Sequence, residues 1–151
     1  MLITDFLSKL LNRKGQSIVE ISLITPLVLI ALYVPADFGV AFLTAHLTQN
    51  AVREAARVGA SKEPFVQSAI EAEALNRMPA RLTSPEANAR LVTGTNCAKY
   101  VEVVGRGTYN YFLYQVMGLF GFNPPDTQFI TRTARMRYEF QPITNDTPCT
   151  P

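Results

Sequence analysis

The sequence predicts an α+β fold in which a long N-terminal transmembrane helix continues as a stalk and carries a small head of short helices packed on an antiparallel sheet. Residues 21–36 contain no charge and consist almost entirely of apolar side chains. Residues 40–58 contain no glycine or proline, so a helix can continue through them. Residues 127–140 alternate between apolar and polar side chains, which is the period of a half-buried strand. These features predict one membrane helix and one globular head.

The apolar stretch needs its neighbours to span a bilayer. Its sixteen residues cover ~24 Å at ~1.5 Å per residue, whereas the hydrocarbon core is ~30 Å thick. Ile18, Val19 and residues 38–47 supply the apolar extension. Glu20 and Asp37 fall inside the extended span, where a carboxylate is costly and usually functional. We therefore treat Glu20 and Asp37 as candidate assembly or interaction residues.

The charge distribution predicts the orientation of the chain. The 14 Lys and Arg nearly balance the 12 Asp and Glu, which argues against a basic surface for nucleic acid. Lys9, Arg13 and Lys14 precede the apolar stretch, and short basic flanks stay in the cytoplasm. We expect a cytoplasmic N-terminus and an extracytoplasmic head. No small-x-small cleavage site follows the apolar stretch, so it should remain on the mature chain.

The head is expected to begin with two helices. Ser61 is expected to start the first of them, with Pro64 in its first turn and Pro79 at its end. The string Ser84-Pro85-Glu86 predicts a shorter helix that ends before Gly94. Both helices should lie against the sheet.

The sheet is expected to start near Tyr100, with a bulge or tight bend at Gly105-Arg106-Gly107 and a continuation through residues 109–114. Residues 127–140 should pair with this strand in the antiparallel sense, across an apolar loop at residues 117–125. One face of the second strand should carry Ile130, Ala134, Met136, Tyr138 and Phe140.

Two groups of residues leave alternatives open. Ala51, Ala55 and Gly59 form a small-residue stripe that either receives another helix or packs under the protein's own head, and the second interpretation is favoured. Cys97 and Cys149 are too few for a metal framework. They predict a disulfide in an extracytoplasmic compartment, with two independent thiols as the alternative.

The junction Lys14-Gly15-Gln16, with Glu20 five residues after the glycine, resembles a type IV prepilin processing site. In such proteins a membrane peptidase cuts after the glycine, and a glutamate is the fifth mature residue. Gly15 would end the leader and Gln16 would carry the new amino group, which Glu20 of a neighbouring subunit can approach and pair with. N-methylation of Gln16 is implied by the resemblance alone. The alternative places Glu20 at the cytoplasmic interface of an ordinary signal anchor.

The continuation resembles the TadE-like family, minor pilins or pseudopilins of tight adherence (Flp, type IVb) pili. The resemblance is carried by a basic leader ending in glycine, a VE pair, a leucine-rich span with an internal proline, DFG, and the helix QNAVREAARVGA. It covers residues 13–60 and returns near the end of the chain at TQFITRTARMRYEF. Ile21, where many prepilins carry phenylalanine, and the second proline, Pro35, depart from the pattern.

This resemblance implies a prepilin-type leader at residues 1–15, a transmembrane and stalk helix at residues 16–60, and a periplasmic α+β head at residues 61–151. It implies a single-pass protein of the bacterial inner membrane that helps to initiate, cap or assemble a Flp-type (Tad) pilus for surface adherence. The expected partners are prepilin peptidase, other pilins and pilus assembly proteins, and inner-membrane lipid. Entry into the filament or retention in the membrane is left open.

An enzymatic function is not expected. The sequence contains no phosphate-binding loop, no GxSxG elbow and no HExxH motif, and its single histidine, His46, lies at the expected membrane exit. We expect no catalytic residue, no metal and no cofactor. Two other functions remain open: a type II secretion pseudopilin, and an unprocessed signal-anchored periplasmic binding domain.

Overall fold

The computed structural model describes residues 13–94, 97–112, 121 and 125–141, and the side chains of this set from residue 17 onward. In chain order the described elements are helix α1 (Arg13–Ala60), helix α2 (Gln67–Arg77), and strands β1 (Leu82–Thr93), β2 (Lys99–Asn110) and β3 (Thr127–Arg137). The predicted α+β architecture, with a long apolar helix before a smaller antiparallel sheet, is confirmed. The chain divides into two compact units, Met1–Phe38 and Gly39–Pro151.

In the first unit, α1 exposes apolar side chains instead of burying them. The helix runs through Pro26 and Pro35, and its Ser17–Ala60 portion is long and apolar enough to cross a membrane. The hydroxyls of Ser22 and Thr25 donate to carbonyls in the preceding turn of the same helix, which leaves no free hydroxyl donor at either position. The large apolar side chains exposed here are Ile18, Val19, Ile21, Leu23, Ile24, Leu27, Val28, Leu29, Leu32, Tyr33 and Phe38.

The second unit is built on a three-stranded antiparallel sheet in the order β1-β2-β3. One face of the sheet packs on the part of α1 that begins at Gly39, and α2 packs beside β1. The small-residue stripe lies at this contact, because Ala51 and Ala55 are buried and Gly59 faces Ile70 and Val101. The stripe therefore packs under the protein's own head, which is the interpretation that the sequence favoured. The main core consists of Val52, Ala55, Ala56, Ala60, Ile70, Ala74, Ala89, Val101, Val103, Ala134 and Tyr138.

The start predicted for the first helix of the head, which is α2 in the structure, is wrong. Ser61 caps the end of α1, since its N–H and its hydroxyl both donate to the carbonyl of Arg57. Helix α2 starts only at Gln67, with Val66 as its extended N-cap residue. A serine can satisfy either end of a helix, and here the last carbonyls of α1 were the groups that needed a donor.

The short helix predicted after Ser84-Pro85-Glu86 is also wrong, because this segment belongs to strand β1. A register shift between Thr83 and Glu86 forms a bulge that contains Ser84 and Pro85, and Ser84 has a positive φ of 50°. Proline is tolerated at a bulge, where the ladder needs no N–H from it. Beyond the bulge, β1 pairs with β2 without interruption to Thr93.

The interruption predicted at Gly105-Arg106-Gly107 does not occur, because β2 is continuous from Lys99 to Asn110. The two glycines instead allow close packing: a Cβ on Gly105 would lie 2.6 Å from a methyl of Val52, and one on Gly107 would lie 3.0 Å from Leu82. The irregularity lies in β1, opposite this part of β2. Of the predicted continuation, Tyr109 and Asn110 close the strand, Tyr111 and Phe112 follow it, and residues 113–114 lie outside the described residues.

Strand β3 has the predicted antiparallel pairing and the predicted faces. Ile130, Ala134 and Tyr138 are buried and Met136 is half-buried, whereas the alternate residues are exposed. The strand ends at Arg137 instead of continuing to Phe140. Beyond it, the N–H of Glu139 donates to the carbonyl of Ala60 at 3.0 Å, so the chain turns from the sheet to the end of α1. Most of the predicted loop at residues 117–125 lies outside the described residues.

Candidate functional site

The predicted processing junction lies at the beginning of α1. Gly15 and Gln16 follow Arg13, the first residue of the helix, and their side chains are not among those described. Glu20 is one turn further along and is exposed. An amino group created on Gln16 would therefore start a helix whose first full turn ends at a carboxylate. Cleavage itself stays a prediction.

The two candidate carboxylates do not form one site. Glu20 and Asp37 are seventeen residues apart, which is ~25 Å along a helix. Glu20 is exposed, and Asp37 is half-buried and the last charged residue of the first unit. Each carboxylate lies at one end of the uncharged stretch. Glu20 and Asp37 are therefore too far apart to act in one site, and the assembly role of each stays a prediction.

A cluster that sequence analysis missed joins the three strands of the sheet. Arg90 on β1 and Arg135 on β3 are the direct cross-strand partners of Glu102 on β2. The Nε of Arg90 donates to Oε1 of Glu102 at 2.7 Å, and Arg135 donates to Oε2. The Glu102 side chain is only 2 % exposed, whereas the two arginines are 63 % and 62 % exposed.

The two arginines keep Glu102 ionised. The hydrogen bond from Arg90 is the main cause of a lowered pKa of Glu102, and Arg135 adds to it, while burial acts in the opposite direction. A carboxylate with both oxygens occupied cannot easily exchange a proton, so this cluster is suited to holding strands together and unsuited to acid–base catalysis. Sequence analysis missed this cluster because it predicted a helix where the structure has strand β1. A helix at residues 84–93 would not place Arg90 beside Glu102.

The remaining candidate residues are His46 and the two cysteines. His46 is exposed, with its ring edge-on to Phe42 at 4.6 Å. In the part of the chain that the structure describes, no three His, Cys, Asp or Glu side chains are grouped to bind a metal ion. Cys97 is disulfide-bonded, but Cys149 lies outside the described residues. The pairing of Cys97 with Cys149 therefore stays a prediction.

Comparison with known proteins bears on the N-terminal helix. The sequence model of the family described as TadE-like protein matches residues 15–57, 43 of the 151 residues. The match begins at Gly15, includes Glu20 and Asp37, and does not reach β3, where the resemblance was expected to return. Neither the curated proteins nor the solved structures gave a significant match. The predicted resemblance to the TadE-like family is thus confirmed over residues 15–57.

Proposed function

We propose that this protein is a minor pilin or pseudopilin that helps to initiate, cap or assemble a Tad (Flp-type) pilus and is anchored in the bacterial inner membrane by α1. One observation carries the proposal: the TadE-like match, residues 15–57, lies within helix α1 (Arg13–Ala60) and includes Gly15, Gln16 and Glu20. A TadE-like segment suggests a pilin-like protein associated with Tad pili. The specific role in assembly is our inference.

The mechanism follows from the surface of α1. From Ile18 to Phe38 the exposed side chains are apolar apart from a few residues, so the helix can exchange lipid contacts for contacts with other pilin helices. Prepilin peptidase would remove residues 1–15 and leave a positive amino group on Gln16. In a medium of low dielectric constant, that amine on a neighbouring subunit would attract the Glu20 carboxylate strongly. The pairing would set the axial position of this subunit among other pilins and assembly proteins.

A non-enzymatic role is part of the proposal. Its support is that Glu102, the carboxylate buried among the described residues, has both oxygens bound by arginines. The second unit would act as a folded periplasmic head that determines which pilins or assembly proteins α1 can approach. The positive residues before the apolar stretch support a cytoplasmic N-terminus.

The first test is the N-terminal residue of the protein recovered from its native membranes, measured by intact mass. The proposal predicts a chain that begins at Gln16, and a chain that begins at Met1 in a strain without the peptidase. A Met1 start in the presence of the peptidase would contradict processing and favour an unprocessed signal-anchored domain.

The second test separates processing from assembly. Chains with Glu20→Ala should still be cut and inserted, but should give fewer pili and recover less partner pilin by co-purification. Glu20→Asp retains the charge and serves as the matched control. Normal assembly with Glu20→Ala would exclude the proposed pairing.

A further inference from the structure

One end of the second unit is fixed at a definite level of α1. Here Ala41 and Ala45 of the helix are buried in a cluster with Leu82, Tyr109, Tyr111 and Ile130. The rings of Tyr109 and Tyr111 pack edge to face at 5.3 Å. The cluster lies where β1 begins, β2 ends and β3 begins. This end of the sheet is therefore level with residues 41–45 of α1.

Large apolar side chains are exposed at this level on three different elements. Phe42 and Leu43 are 67 % and 56 % exposed on the side of α1 that the sheet does not cover. Phe112 is 75 % exposed just beyond β2, and Phe129 is 64 % exposed on β3. We call Phe42, Leu43, Phe112 and Phe129 the aromatic belt. Each member lies within two residues of a member of the buried cluster, either on α1 or on the sheet.

Within β2 and β3, the ends nearest the aromatic belt carry no charged residue. No charged residue occurs in β2 after Arg106 or in β3 before Arg132. Arg132 lies three residues, or ~10 Å, beyond Phe129 along β3. Arg135 and Arg137 follow further along β3. Arg81 and Asp126 border the belt itself. Aromatic rings at one level and arginines at the next are the order in which side chains meet the boundary of a bilayer.

In the sequence, the helical residues of the belt follow directly after the apolar span. Gly39, the first residue of the second unit, follows Phe38 within the same helix, and Phe42 and Leu43 come one turn later. If α1 crosses the bilayer, the first turns of the second unit emerge at its surface. Phe112 and Phe129 are held at the same level by the packing of Tyr109, Tyr111 and Ile130 on α1.

We propose that the aromatic belt rests in the interfacial layer of the bilayer that anchors α1, so that the head binds the lipid surface through Phe112 and Phe129 as well as through its helix. The inference rests on the membrane anchoring proposed above. It adds a second, head-borne lipid contact, which a subunit would have to release before its head could leave the membrane.

The absence of tryptophan from the sequence allows a direct test with single-tryptophan reporters. The full chain with Phe129→Trp, Phe112→Trp, Phe140→Trp or Tyr33→Trp is reconstituted into vesicles of phosphatidylethanolamine and phosphatidylglycerol. Part of the lipid carries bromine on the acyl chains near the headgroups, because bromine quenches tryptophan on contact. Phe140 lies beyond the opposite end of β3 and is 42 % exposed, so it is the matched control. Tyr33 reports on insertion of α1.

Phe129→Trp and Phe112→Trp should lose fluorescence in brominated vesicles and emit at shorter wavelength, whereas Phe140→Trp should do neither. Quenching of Tyr33→Trp without quenching of the two belt reporters would overturn the inference and leave the membrane anchor intact. Absence of quenching at all four positions would overturn the anchor and the inference together. A blue shift at Phe129→Trp that depends on protein concentration and is insensitive to bromine would assign the belt to a second copy of the chain, and would likewise overturn it.

Discussion

Replacing Gly105 by alanine should destabilise the second unit, because β2 and α1 approach too closely there to admit a side chain. A Cβ at this position would lie 2.6 Å from Cε of Met78 and 2.6 Å from Cγ1 of Val52. The methionine methyl can rotate away. Val52 cannot, since its side chain is fully buried and β-branched residues in helices have one preferred rotamer.

The size of the effect follows from two opposing contributions. Overpacking of a filled core costs ~1–3 kcal/mol, while replacing glycine within a strand by alanine gains ~0.5–1 kcal/mol. We expect a net loss of about 1 kcal/mol in the free energy of unfolding. Urea unfolding of the detergent-solubilised full chain, followed by tyrosine fluorescence, measures it as a lower midpoint at unchanged slope.

Two further variants locate the cause of the loss. Gly39→Ala is the matched control, because a Cβ at Gly39 meets nothing within 4 Å, and alanine in a helix should not lower stability. Val52→Ala removes the obstructing methyl, so in the double variant Gly105→Ala should cost less than it does alone. Equal or greater stability of Gly105→Ala in the wild-type background would refute the argument from close approach.

Three other predictions concern single carboxylates. The arginine partners of Glu102 lower its pKa, so the contribution of this carboxylate to stability is complete above the ordinary glutamate pKa and is lost as the pH falls through the folded-state pKa. Glu102→Gln should therefore reduce the loss of stability at acid pH. An unchanged dependence of stability on acid pH would contradict this. Glu71→Ala leaves the N–H of the buried Ala89 without its 3.0 Å acceptor and should cost ~1–3 kcal/mol in urea unfolding. Glu73→Ala on the same helix breaks an ion pair that is partly exposed to solvent and should cost under ~1 kcal/mol. Equal losses in the two variants would count against the role of Glu71. Glu20→Ala should not change the urea midpoint of the second unit, because Glu20 belongs to the first unit. A lower midpoint would show that Glu20→Ala reduces pilus assembly by destabilising the folded protein.

The elements that sequence predicted well are those specified by local pattern. Helix α1 could be recognised because a long apolar stretch and an unbroken helical segment are properties of consecutive residues. Strand β3 could be recognised because one of its faces is buried and the other exposed, which is visible as alternation. The processing junction is also local, since Gly15, Gln16 and Glu20 lie within one and a half turns of each other. The candidate residues for assembly therefore did not depend on knowing the fold.

The elements that sequence missed depend on distant partners. Ser84-Pro85-Glu86 has the composition of a helix start, yet pairing with β2 makes it the beginning of a bulged strand. Gly105 was predicted to mark a bulge or bend. The close approach of Val52 from α1 explains the need for glycine at this position better than any local turn. In both cases the local preference is worth little, and pairing or packing with a distant segment outweighs it.

The cluster of Arg90, Glu102 and Arg135 shows that a wrongly predicted strand also conceals the side-chain contacts that depend on it. Neither Arg90 nor Arg135 has any special position in the sequence relative to Glu102, and only the register of two antiparallel pairings sets them opposite one carboxylate. One-residue shifts of β1 and β3 would turn Arg90 and Arg135, respectively, to the other face of the sheet. Glu102 would then be a buried charge without partners, which is strongly unfavourable. The cluster thus disfavours the shifted registers, and one misassigned strand is enough to conceal it.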